Sequence, residues 1–286
     1  MQAVGTATPG GASVWMEQVW DRTVAFVHAQ RRTLIPLAAL TIVLPEVIVA
    51  IVAAGWGQEG GATGAAVRLL GYVVAVLVLW GELVVVAMAA GPASARAARR
   101  QATLRLPVVI GFVLLLSLVL LLVSIPGVAI LAAYGFDFAA ALAGEVIAPR
   151  PVAAAWIALY GLLLLPVLLW IGARLSLVVP VAVMERRGLN AVSRSWALTR
   201  GLAARILGMV LLYAVVSGVL TMAARFAGGS VFALIFGGDA GLGAASVLTL
   251  LLVATVRGAM TVLLWAFTAT LYGAAREQLD GTAAHR

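Results

Sequence analysis

Cysteine and lysine are absent from this chain of 286 residues, and histidine occurs only twice, as His28 and His285. The lack of cysteine excludes disulfide bonds, thiol catalysis and cysteine-based metal sites. Neither histidine has a carboxylate cluster beside it in the sequence, so we expect neither to serve as a catalytic base. The chain also lacks a P-loop, an HExxH motif and an ordered Ser-His-Asp set. We therefore expect a protein that is not an enzyme and that holds no metal or other cofactor.

Charge is also scarce, because charged residues make up 10% of the chain and hydrophobic residues 64%. Soluble domains contain roughly a quarter charged residues, so much of this apolar surface must face lipid. Six apolar segments reach the roughly 20 residues that a helix needs to cross a bilayer. The sequence therefore predicts an all-α, polytopic bundle of six transmembrane helices. The segments lie at 34–55, 66–90, 107–133, 152–173, 204–227 and 245–273.

The six spans form one predicted membrane domain, residues 14–275, between a flexible N-terminal tail, 1–13, and a C-terminal tail, 276–286. Residues 14–32 and 189–205 mix apolar side chains at near-helical spacing with charged ones. This pattern is typical of amphipathic helices in the headgroup layer. We therefore expect cytoplasmic interfacial helices before spans one and five.

Prolines interrupt three of the spans: Pro45 in the first, Pro126 in the third and Pro166 in the fourth. A proline removes one helix hydrogen bond and crowds the preceding turn. We therefore expect kinks at these three positions.

The nineteen basic residues are all arginines, and fifteen of them fall on one side of the six-span arrangement. The opposite connections carry only Arg68 and Arg150. By the positive-inside rule both termini lie in the cytoplasm, and we expect a multi-pass protein of a bacterial inner membrane. The fifteen are Arg22, Arg31, Arg32, Arg96, Arg99, Arg100, Arg105, Arg174, Arg186, Arg187, Arg194, Arg200, Arg205, Arg276 and Arg286.

The formal net charge of +8 also raises the question of nucleic acid. We discount that partner because the arginines flank apolar spans and form no soluble face interleaved with aromatic residues. Each juxtamembrane arginine contributes about 1 kcal/mol near an anionic surface. The expected partners are therefore anionic lipid headgroups on the cytoplasmic side.

Four ionisable residues fall within the spans: Glu46, Glu82, Arg225 and Arg257. An unpaired charge at a helix centre costs at least about 2.5–3.5 kcal/mol, so we expect these residues to face the bundle interior. Counted along the helices, Glu46 and Arg257 reach similar depth, which predicts an ion pair with Glu82 nearby or protonated. Arg225 is expected near the outer face. The pair has three open interpretations: fixing helix register, relaying protons or ions, and snorkelling towards the headgroups.

Residues 174–201 contain a second set of candidates, Arg174-x-Ser176-Leu177-Val178-Val179-Pro180, then Glu185, Gly188 and Ala191, then Ser193-Arg194-Ser195-Trp196-x-Leu198-Thr199-Arg200-Gly201. This segment resembles the signature of the glycerophosphoryl diester phosphodiesterase membrane domain family, and the chain is similar to related bacterial six-span proteins of unknown function. The resemblance implies the fold and a membrane location, with a link to phospholipid chemistry. The family is named after members in which a phosphodiesterase domain follows the membrane domain, and we expect no such domain here.

The residues of this segment also predict a structural elbow that anchors span five. Pro180 is expected to break the extension of span four, and Glu185 to pair with Arg186 or Arg187 or to cap the next helix. We expect Ser195 to tolerate the headgroup boundary. Trp196 would anchor the helix there. The arginines are expected to meet lipid phosphates, and the alternative to a purely structural elbow is a specific lipid or partner site. Those candidates are Arg174, Arg194 and Arg200.

The sequence favours a non-catalytic membrane protein that binds or organises lipid or a membrane partner at the cytoplasmic face. The alternative is a small transporter or channel built around Glu46, Glu82 and Arg257. A membrane component linked to glycerophosphodiester metabolism is the third hypothesis.

Overall fold

The computed structural model describes residues 16–56, 61–91, 94–142, 147–185, 190–237 and 243–284. Within these ranges six helical stretches are long and apolar enough to cross a membrane. The structure therefore confirms the predicted all-α, polytopic bundle. In the same ranges the elements are α1 (Met16–Ala38), α2 (Leu44–Trp56), α3 (Gly61–Ala89), α4 (Ala95–Ala133), α5 (Phe138–Leu142), α6 (Pro151–Leu175), α7 (Val178–Met184), α8 (Asn190–Leu198), α9 (Ala203–Ala223), α10 (Gly229–Phe236), α11 (Ala244–Ala284) and two π-helical segments, Ala39–Val43 and Ala224–Gly228.

The apolar excess of the sequence lies on the outside of the bundle. Spans three, four and five bury only 6% of their most apolar windows inside the molecule. Leucines on these helices, such as Leu114 and Leu162, are 64% and 67% exposed. Apolar surface costs about 25 cal/mol per Å² in water, so these faces are suited to contact with lipid. The spans are Met16–Trp56, Thr63–Ala89, Ala95–Ala133, Pro151–Met184, Ala203–Phe236 and Ala244–Gln278.

The two ends of the bundle are packed differently. The start of α1 and the last turns of α11 meet at one end, where Arg22 Nη1 lies 3.2 Å from Glu277 Oε2; we call this the arginine-rich end. Most buried side chains lie in this half, and residues 83–86 of α3 and Leu271 of α11 are at most 1% exposed. At the opposite end α10 buries none of its residues. Side chains are therefore buried more extensively at the arginine-rich end than at the opposite end.

Helix α1 is continuous with the first span, which corrects the expectation of a separate helix in the headgroup layer over residues 14–32. Val19 and Thr23 are buried, and Thr23 Oγ1 lies 2.7 Å from Thr270 Oγ1 of α11. The apolar face of residues 14–32 that predicted an interfacial helix packs against α11 instead. Burial against another helix removes apolar side chains from water just as contact with lipid does. In the segment 189–205, by contrast, α8 is a separate short helix that precedes span five.

The prolines of the spans lie in two different settings. Pro126 and Pro166 lie inside α4 and α6, which continue through them. Pro45 follows the π-helical segment Ala39–Val43, here called the first π-bulge, in which Leu44 N–H donates to the carbonyl of Ala39 five residues back. A proline ring crowds the carbonyl four residues before it, here that of Thr41. The wider π turn gives this carbonyl room.

Span five is longer than the sequence predicted. Helix α9 continues through the second π-bulge, Ala224–Gly228, and through α10 to Phe236, instead of ending near residue 227. Gly237, with φ of 86°, ends the helix. Gly228 and Gly229 are weak helix formers, yet the helix continues through both and packs on α11 there.

Glycines bring both π-bulges close to neighbouring helices. A Cβ on Gly81 of α3 would lie 2.6 Å from Thr41 Oγ1, and one on Gly258 of α11 would lie 3.0 Å from Val43 Cγ2. The first π-bulge is therefore held between α3 and α11 at a distance that favours glycine. Gly228 of the second π-bulge faces Leu252 of α11 in a similarly close contact.

We predict that Gly81→Ala lowers the free energy of unfolding by roughly 1–3 kcal/mol, because the added methyl group overpacks the contact with Thr41. The matched control is Gly71→Ala on the same helix, where a Cβ meets nothing within 4 Å. Alanine's better helix propensity should leave this control as stable as the native chain or more so. Denaturant unfolding in detergent micelles measures both variants, and an equal effect of the two would contradict the close helix contact.

Candidate functional site

A cavity of about 260 Å³ lies between α2, the second π-bulge and α11. We call it the midspan cavity. Its polar lining consists of Glu46 from α2, Arg225 from the second π-bulge, and Thr249 and Arg257 from α11. Three of the four ionisable residues predicted within the spans therefore meet at one place. The apolar lining is Val47, Ala50, Leu250, Val253 and Ala254.

Glu46 and Arg257 form the ion pair that their matched depth predicted, with Arg257 Nη1 donating to Glu46 Oε1. The pair is not enclosed, however. The side chain of Arg257 is 54% exposed and that of Glu46 is 30% exposed. The two residues therefore form part of a cavity wall, which corrects the expectation that they face a packed bundle interior. Neighbouring side chains therefore cover the pair only in part.

The three charged residues lie at similar depth. At a rise of 1.5 Å per residue, Glu46 is about 15 Å from the end of α2 at Trp56. Arg225 is about 17 Å from the end of α10 at Phe236, and Arg257 is about 20 Å from the start of α11. The hydrocarbon core of a bilayer is about 30 Å thick, so these positions are near its middle.

Arg225 is placed differently from our expectation. We expected it near the outer face, because span five was predicted to end two residues after it. The helix continues for eleven further residues to Phe236, which moves Arg225 to the depth of the other two. Its side chain is exposed, and it makes no hydrogen bond or ion pair with any residue that the structure describes.

Glu82 does not join this group. Glu82 follows Gly81, and Gly81 contacts Thr41, so Glu82 lies near the depth of Thr41. Glu46 is five residues beyond Thr41, or about 7.5 Å further along the span. Glu82 does not line the midspan cavity. No hydrogen bond or ion pair links it to another residue within the described ranges. Glu82 therefore does not lie beside the pair, and the alternative, that Glu82 is protonated, stays a prediction.

The segment that carries the family resemblance folds into a compact elbow at the arginine-rich end, defined here as residues 174–185 and 190–201. The chain turns at Ser176 and Leu177, between α6 and α7. We expected Pro180 to cause this break, but it lies in the first turn of α7. The first turn of a helix has backbone N–H groups without helical partners, so a proline is tolerated there.

Arg174 is held by two tryptophans, Trp170 of α6 and Trp196 of the elbow. Its guanidinium carbon lies 5.3 Å from the ring centroids of both Trp170 and Trp196, and the two rings meet edge to face at 5.2 Å. Arg174 Nη1 donates to Trp196 O at 3.4 Å, and the buried Ser195 Oγ donates to Arg174 O at 2.7 Å. Each cation–π contact contributes about 0.5–2 kcal/mol. Arg174 and Trp196 therefore join α6 to α8.

Glu185 has partners that the sequence did not predict. Its Oε1 accepts from Arg194 Nε and from Tyr272 Oη, both at 3.2 Å. These contacts join the end of α7 to α8 and to α11. The expected partners Arg186 and Arg187 lie outside the described residues.

Arg194 was expected to meet lipid phosphates, but its Nε donates to the carboxylate of Glu185 within the protein. An ion pair that is partly buried is also less screened than one in water. Of the three elbow arginines proposed for lipid contact, Arg200 alone is exposed. It lies in the turn before Gly201, whose φ is 78°.

Two residues of these sites were missed by reasoning from sequence. Tyr272 is 2% exposed and reaches Glu185 across 87 residues of sequence. Thr249 lines the midspan cavity eight residues before Arg257 on the same helix. Neither stands out in the sequence, because both lie in a long apolar span. A polar residue within a predicted span was the available signal.

Comparison of the chain with models of protein families gives no match, and comparisons with curated proteins and with solved structures give none either. The resemblance to the glycerophosphoryl diester phosphodiesterase membrane domain family therefore stays a prediction.

We predict that the effects of Glu46→Gln and Arg257→Gln on stability are not additive. Each single change leaves one charge without its partner, whereas the double change removes both charges. The coupling free energy should be roughly 0.5–3 kcal/mol in a double-mutant cycle measured by unfolding in micelles. As a control, Glu46→Gln combined with Arg200→Gln at the elbow should be additive. A coupling near zero for Glu46 and Arg257 would show that the contact does not contribute to stability.

Proposed function

We propose that this chain is a non-catalytic, multi-pass protein of a bacterial inner membrane, with cytoplasmic termini, that binds anionic lipid headgroups through its arginine-rich end. The observation that carries the proposal is an excess of exposed arginines at this end. Acidic residues exposed there, within the described ranges, are Glu17, Asp21 and Glu277, and Glu277 pairs with Arg22. Other exposed arginines at this end include Arg31, Arg32, Arg96, Arg99, Arg100 and Arg200.

These arginines are spread over three structural elements. Arg31 and Arg32 are on α1, Arg99 and Arg100 are on the first turns of α4, and Arg200 is in the elbow. Each contributes about 1 kcal/mol at an anionic surface, so together they support stable contact with several headgroups. The internal contacts of the elbow position the elbow arginine, because α8 is fixed to α6 by the tryptophan pair and to α7 by the Glu185 ion pair.

We predict that the double variant Arg99→Gln, Arg100→Gln retains phosphatidylglycerol roughly tenfold less well than the native chain, since two cationic contacts are lost. The measurement is native mass spectrometry of the full chain released from mixed micelles of phosphatidylglycerol and phosphatidylcholine, at low and high salt. The control is Arg68→Gln, an exposed arginine of α3 near the opposite end. Retention that is indifferent to headgroup charge and salt would contradict the proposal.

The midspan cavity favours a second candidate, a small transporter or channel. Binding sites near the bilayer midplane, where helices are interrupted, are typical of secondary transporters. Both π-bulges described above flank this region, and π-bulges are frequent at functional sites. The charged lining of the cavity can also be reached from outside the molecule, since the side chain of Arg257 is 54% exposed. The ion pair would then bind or gate the transported species.

For this second candidate we expect phosphate or chloride flux into proteoliposomes to fall at least about tenfold in Glu46→Gln and in Arg257→Gln, because each change alters the charge of the cavity wall. Arg200→Gln, outside the cavity, serves as the control. Flux that survives both cavity changes would exclude a transport path through the midspan cavity.

A further inference from the structure

We infer that the midspan cavity is an anion site, in which Arg225 binds one phosphate or carboxylate group. This inference rests on the second candidate function only in sharing its cavity, because an anion can be bound there without being transported. It does not depend on lipid binding at the arginine-rich end. The group could belong to a lipid or to a small solute, and the two sources share the chemistry that Arg225 recognises.

The charge of the cavity wall indicates an anion. Its lining contains two arginines and one glutamate, so its formal charge is +1. The Glu46 carboxylate already accepts from Arg257. Arg225 is left with no hydrogen bond or ion pair among the residues that the structure describes. A cation would find the Glu46 carboxylate already paired with Arg257, whereas a bound anion would neutralise the formal charge of +1 on the cavity wall.

Arg225 also needs acceptors because of its depth. A guanidinium carries five N–H donors and no acceptor. Near the middle of a bilayer little water is available to satisfy them, and the charge itself is costly. Phosphate and carboxylate match the planar donor pattern of arginine, often through two parallel hydrogen bonds. A bound anion would therefore satisfy both the charge and the donors of Arg225.

The other polar groups of the cavity agree with this ligand class. Thr249 Oγ1 donates its hydrogen to Ala245 O at 2.7 Å. Its hydroxyl hydrogen is therefore used within the helix, which leaves Arg225 and the remaining N–H groups of Arg257 as donors towards the cavity. Glu46 holds Arg257 against α2. We assign Glu46 a positioning role and Arg225 the direct contact.

The position of Arg225 is fixed by packing. Gly228 lies against Leu252, and a Cβ on Gly229 would lie 3.4 Å from Thr249 Cγ2. The second π-bulge is thus held close to α11, and Arg225 is presented at the cavity wall. The exposed neighbours Met222 and Phe226 give the outer side of the helix an apolar surface next to this arginine. An acyl chain could lie on that surface if the anion belongs to a lipid.

The size of the cavity limits the ligand. Cavities that hold drug-sized molecules usually measure about 300–1,000 Å³, and this one measures about 260 Å³. It is therefore large enough for a phosphate or carboxylate group and smaller than a typical site for a drug-sized molecule. A nucleotide or a complete phospholipid would not be enclosed.

The test uses the purified full chain in a non-ionic detergent. In one arm inorganic phosphate is titrated while the thermal unfolding midpoint is followed. In the second arm phosphatidic acid and phosphatidylcholine compete for the protein in native mass spectrometry. We expect saturable stabilisation by phosphate, selective retention of phosphatidic acid, or both. Stabilisation in the first arm alone assigns a small solute. Retention of phosphatidic acid that Arg225→Gln weakens, without stabilisation in the first arm, assigns a lipid headgroup.

Three variants separate the anion site from a general effect of charge. Arg225→Gln should weaken binding at least about tenfold, because a charge-assisted contact is lost. Glu46→Gln should strengthen it severalfold, because the formal charge of the wall rises to +2. Arg68→Gln on α3, outside the cavity lining and away from the arginine-rich end, should bind like the native chain. A merely structural role of the ion pair would not make the Glu46 variant bind more tightly.

The inference is overturned if the native chain shows no saturable binding in either arm, or if Arg225→Gln binds as tightly as the native chain. Should Arg225→Gln fail to fold, Arg225→Lys replaces it; this variant keeps the charge, loses the planar donor pattern and should bind more weakly. Failure of Glu46→Gln to strengthen binding would also contradict the inference. If anion binding requires Arg225 and proteoliposomes show no flux, the anion site is supported and the transporter function is excluded.

Discussion

Inside a lipid bilayer no water is available to hydrogen-bond a polar group, and this constraint determines how each polar atom of the spans is placed. The backbone meets it by forming helices. Hydroxyl groups meet it locally: Thr41, Thr249 and Thr255 each donate to the carbonyl four residues earlier. Charged side chains within a span are not neutralised by the backbone carbonyls of their own helix. They must find a partner on another helix, as Glu46 and Arg257 do.

Helix α11 is the element on which both interrupted helices pack. It contacts α1 at the arginine-rich end, the first π-bulge at Gly258, and the second π-bulge at Leu252. A π turn changes the direction in which later side chains project, since it inserts an extra residue into the helical repeat. Close glycine contacts then fix each interrupted helix to α11. The midspan cavity lies where these two interruptions face the same helix, so its charged lining depends on local backbone features of two other spans.

Much of this arrangement could be predicted from sequence, and the failures have identifiable causes. The six spans follow from apolar runs that no soluble core could cover, and the Glu46–Arg257 pair follows from counting along two helices. The predicted depth of Arg225 was wrong because span five was expected to end near residue 227, whereas the helix packs on α11 and continues to Phe236. The partner of Glu185 was missed because Tyr272 is 87 residues away in sequence. Local propensity and hydropathy describe single helices, whereas these contacts depend on which helices become neighbours.

The elbow shows the same division between local pattern and tertiary packing. Trp196 and the arginines of the elbow suggested a surface that meets headgroups. In the structure Arg174 instead contacts Trp170 and Trp196, and Arg194 pairs with Glu185. A cation placed between two aromatic rings is stabilised without a lipid. The composition of a segment thus indicates which interactions are available to it, and the fold decides whether they are made internally or with the membrane.

The uneven distribution of buried side chains has a thermodynamic consequence. Stability is not uniform across a structure, and segments with few buried contacts open at a lower free-energy cost than well-packed ones. Most buried side chains of the described residues lie towards the arginine-rich end, whereas α10 buries none of its residues. Local opening is therefore less costly at α10 than in the packed half, and the half that contains the midspan cavity is the more easily rearranged one.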